Sequence, residues 1–307
     1  MTLSKGKVSL KRRIWKFRWF YVLMLPALIY FIVYRYIPMW GALMAFQDFS
    51  PVRGIWGSDW VGLRHFRFFF SHENFFTLLR NTLTISIGSL VFAYPIPIIL
   101  SLMLNEVRHK WFKRGVQSLI YLPNFLSGVV VWSLAFILLS TNDGLINHWI
   151  AALGGNRINF LMNEATYYPL FIGVEIWQRA GFGTIIFLAA LAGVDVQLYE
   201  SAMVEGAGRW KQMWHITLPS LMPVIMVMLI LQMGQLLDVS LERTILFSNA
   251  MNRPVAEVFD SHIFNRGIMG GDFSYSAAVG LWRSVVGMVL VLGANRISKF
   301  FTDDAIY

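Results

Sequence analysis

Long apolar runs alternate with short polar connections along this chain. Six runs, roughly 20–41, 82–103, 118–139, 168–192, 219–239 and 277–298, approach the about 20 residues that carry a helix across a bilayer core. Bare peptide groups find no water there, so each run is predicted to be helical. Pro26, Pro38, Pro95 and Pro97 fall inside these runs. Neighbouring helices can re-satisfy the carbonyls a proline frees, so kinks rather than helix ends are expected. The expected fold class is all-α, a polytopic bundle of six transmembrane helices in one domain.

Composition agrees. Apolar residues make up 56% of the 307 residues and charged residues 14%, with mean hydropathy +0.55. A soluble domain carries roughly 25% charged residues. The absence of cysteine excludes disulfide frameworks and thiolate metal sites. A net charge of +9 raises the question of a nucleic-acid partner, and the placement of the charge answers it. Lys5, Lys7, Lys11, Arg12, Arg13, Lys16 and Arg18 precede the first run with no acid among them. Arg108, Lys110, Lys113 and Arg114, then Arg209 and Lys211, then Arg296 and Lys299, occupy alternate connections. With six spans these all fall on one side, together with every lysine in the chain. That is the positive-inside pattern, which predicts an N-in, C-in topology with topogenic charge and no nucleic acid. The first apolar run is about 22 residues, longer than the 7–15 of a signal core, and no small-residue cleavage site follows, so a retained helix is expected.

The predicted organisation is a basic cytoplasmic N-terminus (1–19), a first transmembrane helix (20–41), an extracytoplasmic loop with an interfacial helix (42–81), a core membrane domain (82–298) and a cytoplasmic tail (299–307). In the 42–81 loop Trp56, Trp60, Phe66, Phe68, Phe69 and Phe70 suit headgroup-level anchors, or a surface for an external partner. The second long outer loop, 240–276, has room for a short helix.

The connection at 195–219 is the most specific feature. Leu198 to Glu205 is a run of good helix formers, Gly206 and Gly208 permit a sharp turn, Trp210 to Ile216 is predicted as a second short helix, and Pro219 suits entry into the next span. Small side chains at Ser201, Ala202, Gly206 and Ala207 allow a partner's backbone to approach closely.

Glu200-Ser201-Ala202, then Gly206, then Ile216-Thr217-Leu218-Pro219 resembles the "EAA" loop of ABC-importer membrane subunits. The family pattern begins Glu-Ala-Ala and often has Asp before Gly, so Ser201 and Glu205 are conservative departures that bear on partner fit. Tyr36-Ile37-Pro38-Met39, Arg80-Asn81-Thr82, Tyr121-Leu122-Pro123 and Tyr275-Ser276-Ala277-Ala278 extend the similarity over nearly the whole chain, to maltose-type permeases linked to complex oligosaccharides. The resemblance implies a type I importer (MetI-like) fold in a bacterial inner membrane, with no enzymatic activity of its own. It implies a second permease subunit as heterodimer partner, two ATPase subunits that use ATP and magnesium, an extracytoplasmic solute-binding protein and surrounding lipid. It assigns ATPase coupling to Glu200, Ser201, Ala202, Glu205, Gly206, Ala207, Ile216, Leu218 and Pro219.

The residues themselves agree that the motor lies elsewhere. The chain has no Gly-x-x-x-x-Gly-Lys-Ser/Thr phosphate loop, no Gly-x-Ser-x-Gly elbow and no metal-ligand spacing among its six histidines, so neither catalytic nor metal residues are expected. Polar groups inside spans are costly and mark a path or a partner. Glu175, Trp177, Gln178 and Arg179 in the fourth span, Gln232, Gln235 and Asp238 in the fifth, and Trp282 and Arg283 in the sixth are the candidates for a substrate path. At about 1.5 Å of rise per residue, Glu175, Gln232 and Arg283 sit at similar depth in the outer half. The competing reading makes Glu175–Arg179 and Asp238–Arg283 structural ion pairs. The arginines are compatible with an acidic oligosaccharide and equally with a neutral one. An ion-gradient-driven secondary transporter is the alternative function, though it calls for inverted repeats and interrupted midplane helices that the sequence does not display clearly.

Overall fold

The computed structural model describes residues 15–298. The basic stretch 1–14 and the tail 299–307, which hold part of the one-sided charge pattern, lie outside the described residues. In chain order, α1 is Arg18–Phe46, α2 Gly54–Gly57, α3 Arg64–Ser71, α4 Phe75–Glu106, α5 Lys110–Phe125, α6 Gly128–Leu139, α7 Leu145–Ala152, α8 Glu164–Leu191, α9 Val196–Val204, α10 Arg209–Gly234, α11 Leu241–Phe247, α12 Arg253–Ala256, α13 Phe259–Ile263 and α14 Phe273–Ile297. Five of these are long and apolar enough to cross a membrane, and the bent pair α5–α6 supplies a sixth if it is one span. A two-residue antiparallel ladder, Gln47–Asp48 (β1) with Asp59–Trp60 (β2), closes the loop after α1.

Proline shapes three of the long helices in one way. Its ring crowds the carbonyl four residues back and its nitrogen has no proton to donate. The turn before it therefore widens to an i→i−5 bond: Ile37 N–H to the Ile32 carbonyl before Pro38, Tyr94 to Ser89 before Pro95, and Leu218 to Met213 before Pro219. Pro26 lies within continuous α-helix and carries no such widening. Pro97 follows Pro95 by two residues within the same continuous helix.

The third predicted span, 118–139, is broken. Helix α5 ends in a 3-10 turn at Leu122–Phe125, Leu126 and Ser127 are extended, and α6 leaves at 105° to α5. Pro123 sets up the tight turn, and the Ser127 side chain caps α6 by accepting from Val130 N–H. Apolarity alone runs through 118–139, which is why hydropathy merges two helices here. The fifth span differs from expectation at both ends. Trp210 to Ile216 is no separate short helix: it flows through the widened Met213–Thr217 turn into one 26-residue helix that stops at Gly234 instead of 239.

Two ends of the bundle are distinguished by contacts. At one, the 104–117 and 193–218 connections meet through an Arg209–Glu106 ion pair at 3.7 Å. At the other, the 47–74 and 235–272 connections pack together. Phe69 is fully buried there among Phe75, Phe259, Tyr275 and Trp282, so it is a core residue and not the headgroup anchor expected from sequence. Trp56 and Trp60 do remain exposed, at 83% and 65%. Helix α1 buries none of its most apolar 18-residue window inside the chain, so it contributes its apolar surface to lipid or to another subunit.

Candidate translocation path and coupling loop

The middle of the bundle is polar because α8 crosses the break in the third span. Gln178 donates through Nε2 to the Leu126 carbonyl at 3.1 Å, satisfying a peptide group that the broken helix leaves free. Its Oε1 accepts from Arg243 Nη2 at 3.1 Å. Arg243, from α11, is 8% exposed, lies over the Phe171 ring at 5.2 Å and reaches Glu175 Oε2 at 3.6 Å. Ser89 Oγ, in the widened turn of α4, donates to the same oxygen at 2.6 Å. Glu175 Oε1 faces Arg179 Nη1 at 3.7 Å. One polar chain, Ser89–Glu175–Arg243–Gln178–Leu126, thus ties α4, α8, α11 and the break together.

Three adjoining cavities of about 300, 500 and 290 Å³ surround this chain. The first opens beside Ser86, Glu175, Gln235, Asp238 and Arg243. The second runs along Tyr94, Pro97, Phe182 and Met228. The third lies at the break, beside Asn124, Ser127, Gly128 and Glu242. Gln232 and Gln235 border the first two, so α10 and α8 do present polar groups to a shared space.

The sixth span behaves differently. Arg283 binds Asp238 Oδ1 through Nε at 3.1 Å and also pairs with Asp260, whose other oxygen accepts from Val239 N–H. Trp282 packs tilted and edge-on in the aromatic core, its ring 5.2 Å from both Phe69 and Phe259. Neither Trp282 nor Arg283 borders the three cavities, and Trp177, 47% exposed on α8, does not either. The equal-depth estimate brings Glu175 and Gln232 together but leaves Arg283 outside. Reading the sequence missed Arg243, Ser89, Asn124 and Asp260. Arg243 and Asp260 sit in a polar outer loop where burial leaves no periodic signal, and Ser89 and Asn124 are too small and common to stand out.

At the other end, α9 projects with Glu200, Ser201 and Glu205 exposed and Ala202 and Ala207 half-buried. The Asp195 side chain caps it by accepting from Gln197 N–H at 2.9 Å. Gly206 takes φ +80°, the left-handed conformation that closes a helix, and Ala207 N–H returns to the Ala202 carbonyl at 2.8 Å. Gln212 Nε2 donates to the Ala207 carbonyl and Tyr199 Oη meets Thr217 Oγ1 at 3.0 Å, so the turn is braced against α10. Ile216 and Leu218 are half-buried at the widened turn, and Pro219 lies in the first turn of the α-helical segment Leu218–Gly234.

The aromatic end carries a buried polar knot. His262 Nδ1 meets Glu257 Oε1 at 3.0 Å and its Nε2 meets Tyr275 Oη at 3.1 Å. The hydrogen bond from His262, helped by Arg253, holds the Glu257 carboxyl below its ordinary value. Arg266 contacts His72 Nε2 at 2.9 Å, and burial, with the Arg266 charge beside it, lowers the His72 pKa.

Residues 93–302 match the model of the binding-protein-dependent transport system inner membrane component family. The chain belongs to that family. It is 50% identical over 290 residues to the polygalacturonan/rhamnogalacturonan transport system permease protein YteP of Bacillus subtilis (strain 168), covering 94% of this chain and 90% of the relative. It is 45% identical over 307 residues to Protein LplB of the same organism, covering 100% and 96%. A crystal structure of a bacterial ABC transporter that imports the acidic polysaccharide alginate matches with TM-score 0.88 and 37% identity over 95% of this chain and 99% of that one. A second, of an alginate transporter in complex with an alginate pentasaccharide-bound periplasmic protein, matches with TM-score 0.89 and 36% identity over 97% and 99%. The chain is therefore a permease subunit of an ABC importer of the bacterial inner membrane, a transport subunit with no enzymatic role. This displaces the secondary-transporter alternative.

Proposed function

We propose that this chain forms half of the path for an acidic oligosaccharide and receives mechanical work at α9. The continuity of α10 carries the reading: one 26-residue helix begins at the Gly206 turn and ends at Gly234, with Gln232 beside the central cavities. A push on the 195–219 loop is transmitted along a hydrogen-bonded rod to the space a solute crosses. The exposed face of α9 suits docking to a cytoplasmic ATPase, with Glu200 meeting a basic or polar group. Two such ATPases, a second permease subunit and an extracytoplasmic binding protein complete the assembly, ATP and magnesium being used by the ATPases. The N-terminus and the 195–219 loop lie in the cytoplasm, in keeping with the one-sided lysines. The names of the relatives, a polygalacturonan/rhamnogalacturonan permease and an alginate importer, favour a uronic-acid oligomer over a neutral one.

Gly206→Pro tests the coupling. Proline fixes φ near −65° where the turn requires +80°. In the assembled importer we expect normal membrane insertion and ATPase association, with ATP-driven uptake reduced about tenfold or more, a barrier change of roughly 1.4 kcal/mol. Glu200→Ala is expected to weaken uptake in the same direction. Wild-type uptake by Gly206→Pro refutes the role given to this loop.

A further inference from the structure

We infer that Arg179 is the specificity-determining residue that takes the carboxylate of an acidic sugar unit as it passes between the chambers of the path. The inference rests on the oligosaccharide reading above and goes further, to one side chain and its ligand chemistry.

Arg179 alone among the lining residues borders all three cavities. Its side chain is 64% exposed, whereas Arg243 is 8% and Arg283 22% exposed. Those two arginines are committed elsewhere: Arg243 to Glu175, Gln178 and the face of Phe171, Arg283 to Asp238 and Asp260. Among the described residues Arg179 makes one polar contact, to Glu175 Oε1 at 3.7 Å, longer than a hydrogen bond. Its planar fork of N–H donors therefore makes no hydrogen bond within the described residues and opens onto the cavities, and that fork matches a carboxylate bidentately.

Glu175 explains how such a site avoids trapping its cargo. Its second oxygen accepts from Ser89 and lies 3.6 Å from Arg243, so its first, 3.7 Å from Arg179, is a loose stand-in for the substrate's carboxylate. An arriving uronate displaces that long contact and, on leaving, returns the guanidinium to it. Gln232 and Gln235, which border the first and second cavities together with Arg179, offer neutral hydrogen bonds to the hydroxyls of the passing sugar.

The test uses the full importer in proteoliposomes, with its binding protein saturated, and two probes of one length: trigalacturonate and its fully methyl-esterified form. Arg179→Gln is expected to slow uptake of trigalacturonate by about tenfold, the size of one charge-assisted hydrogen bond. Ester uptake stays within about twofold, smaller than the loss of any charged contact, and Arg179→Lys restores part of the acid uptake because it keeps the charge without the fork. A second readout omits the binding protein: calorimetric titration of trigalacturonate into the nucleotide-free complex, where Arg179→Gln weakens binding by a similar factor. Equal loss on both probes, or unimpaired acid uptake, overturns the role of Arg179 while leaving the oligosaccharide reading intact. A wild-type importer that takes up neither probe overturns that reading and this inference with it.

Discussion

Arg243 and Glu175 decide how the centre of this protein is held. Both are nearly buried; they form an ion pair at 3.6 Å, with Ser89 donating to Glu175 and Arg243 donating to Gln178. A buried ion pair adds little net stability, but removing one partner strands the other charge at roughly 3–5 kcal/mol. Arg243→Met is therefore expected to destabilise the chain strongly, and the double variant Glu175→Gln, Arg243→Met to recover a large part of the loss. Denaturant unfolding of the purified permease pair checks this, and additive losses in the double variant refute the pairing. The contrast with Arg179 follows from burial alone. The same residue type is structural when enclosed by acceptors and available when it faces a cavity.

Among the elements, α8 and the broken α5–α6 pair depend on one close approach. A β-carbon on Gly181 would lie 1.9 Å from the Ile120 carbonyl oxygen and 2.4 Å from its carbon. Those atoms are backbone, so nothing local can rotate aside. Gly181→Ala is expected to cost about 1–3 kcal/mol by overpacking, read as a lower unfolding midpoint in detergent. Gly173→Ala on the same helix meets nothing within 4 Å and serves as the neutral control. Equal behaviour of the two variants refutes the contact. The prolines belong to this scale as well. Of the four expected as kinks, Pro38 and Pro95 follow a widened turn, as does Pro219, while Pro26 lies in continuous α-helix; in each widened case the helix continues through the proline. At α10 the widened turn joins the 193–218 connection to a helix that borders the central cavities.

For the molecule as a whole, the aromatic end is fastened by groups that titrate. The His72 pKa is depressed, so its contribution to stability is complete above its ordinary value of 6.5 and fades as pH falls through the lower folded-state value. The Glu257 carboxyl is depressed too, so its contribution is present above the ordinary glutamate range and is lost as pH falls below it. Both signs agree: this end is most firmly closed at neutral pH and loosens in acid, first through His72. Hydrogen exchange over 257–275, corrected for intrinsic rates, is expected to rise between pH 7 and pH 5 and again below pH 4.5, with Glu257→Gln removing the second step. Protection that does not change with pH refutes this.

Much of this arrangement was written in the order of residues. Span length, the one-sided lysines and the Gly206 turn are local or additive properties, set by the thickness of a bilayer, the asymmetry of insertion and a single backbone angle. They determined the all-α membrane class, the position of the projecting loop and its relation to the family. Tertiary structure alone decided which polar residues border the central cavities. Trp282 and Arg283 looked as suitable as Glu175 along their helix, yet an aromatic cluster and Asp260 claim them. The break at Leu126 and Ser127 was hidden because hydropathy does not register a direction change within apolar sequence. Arg243, drawn from a loop into the bundle, had no periodic signal at all. Burial and ion pairing join residues far apart in sequence, here 68 positions between Glu175 and Arg243, and no local pattern carries that information.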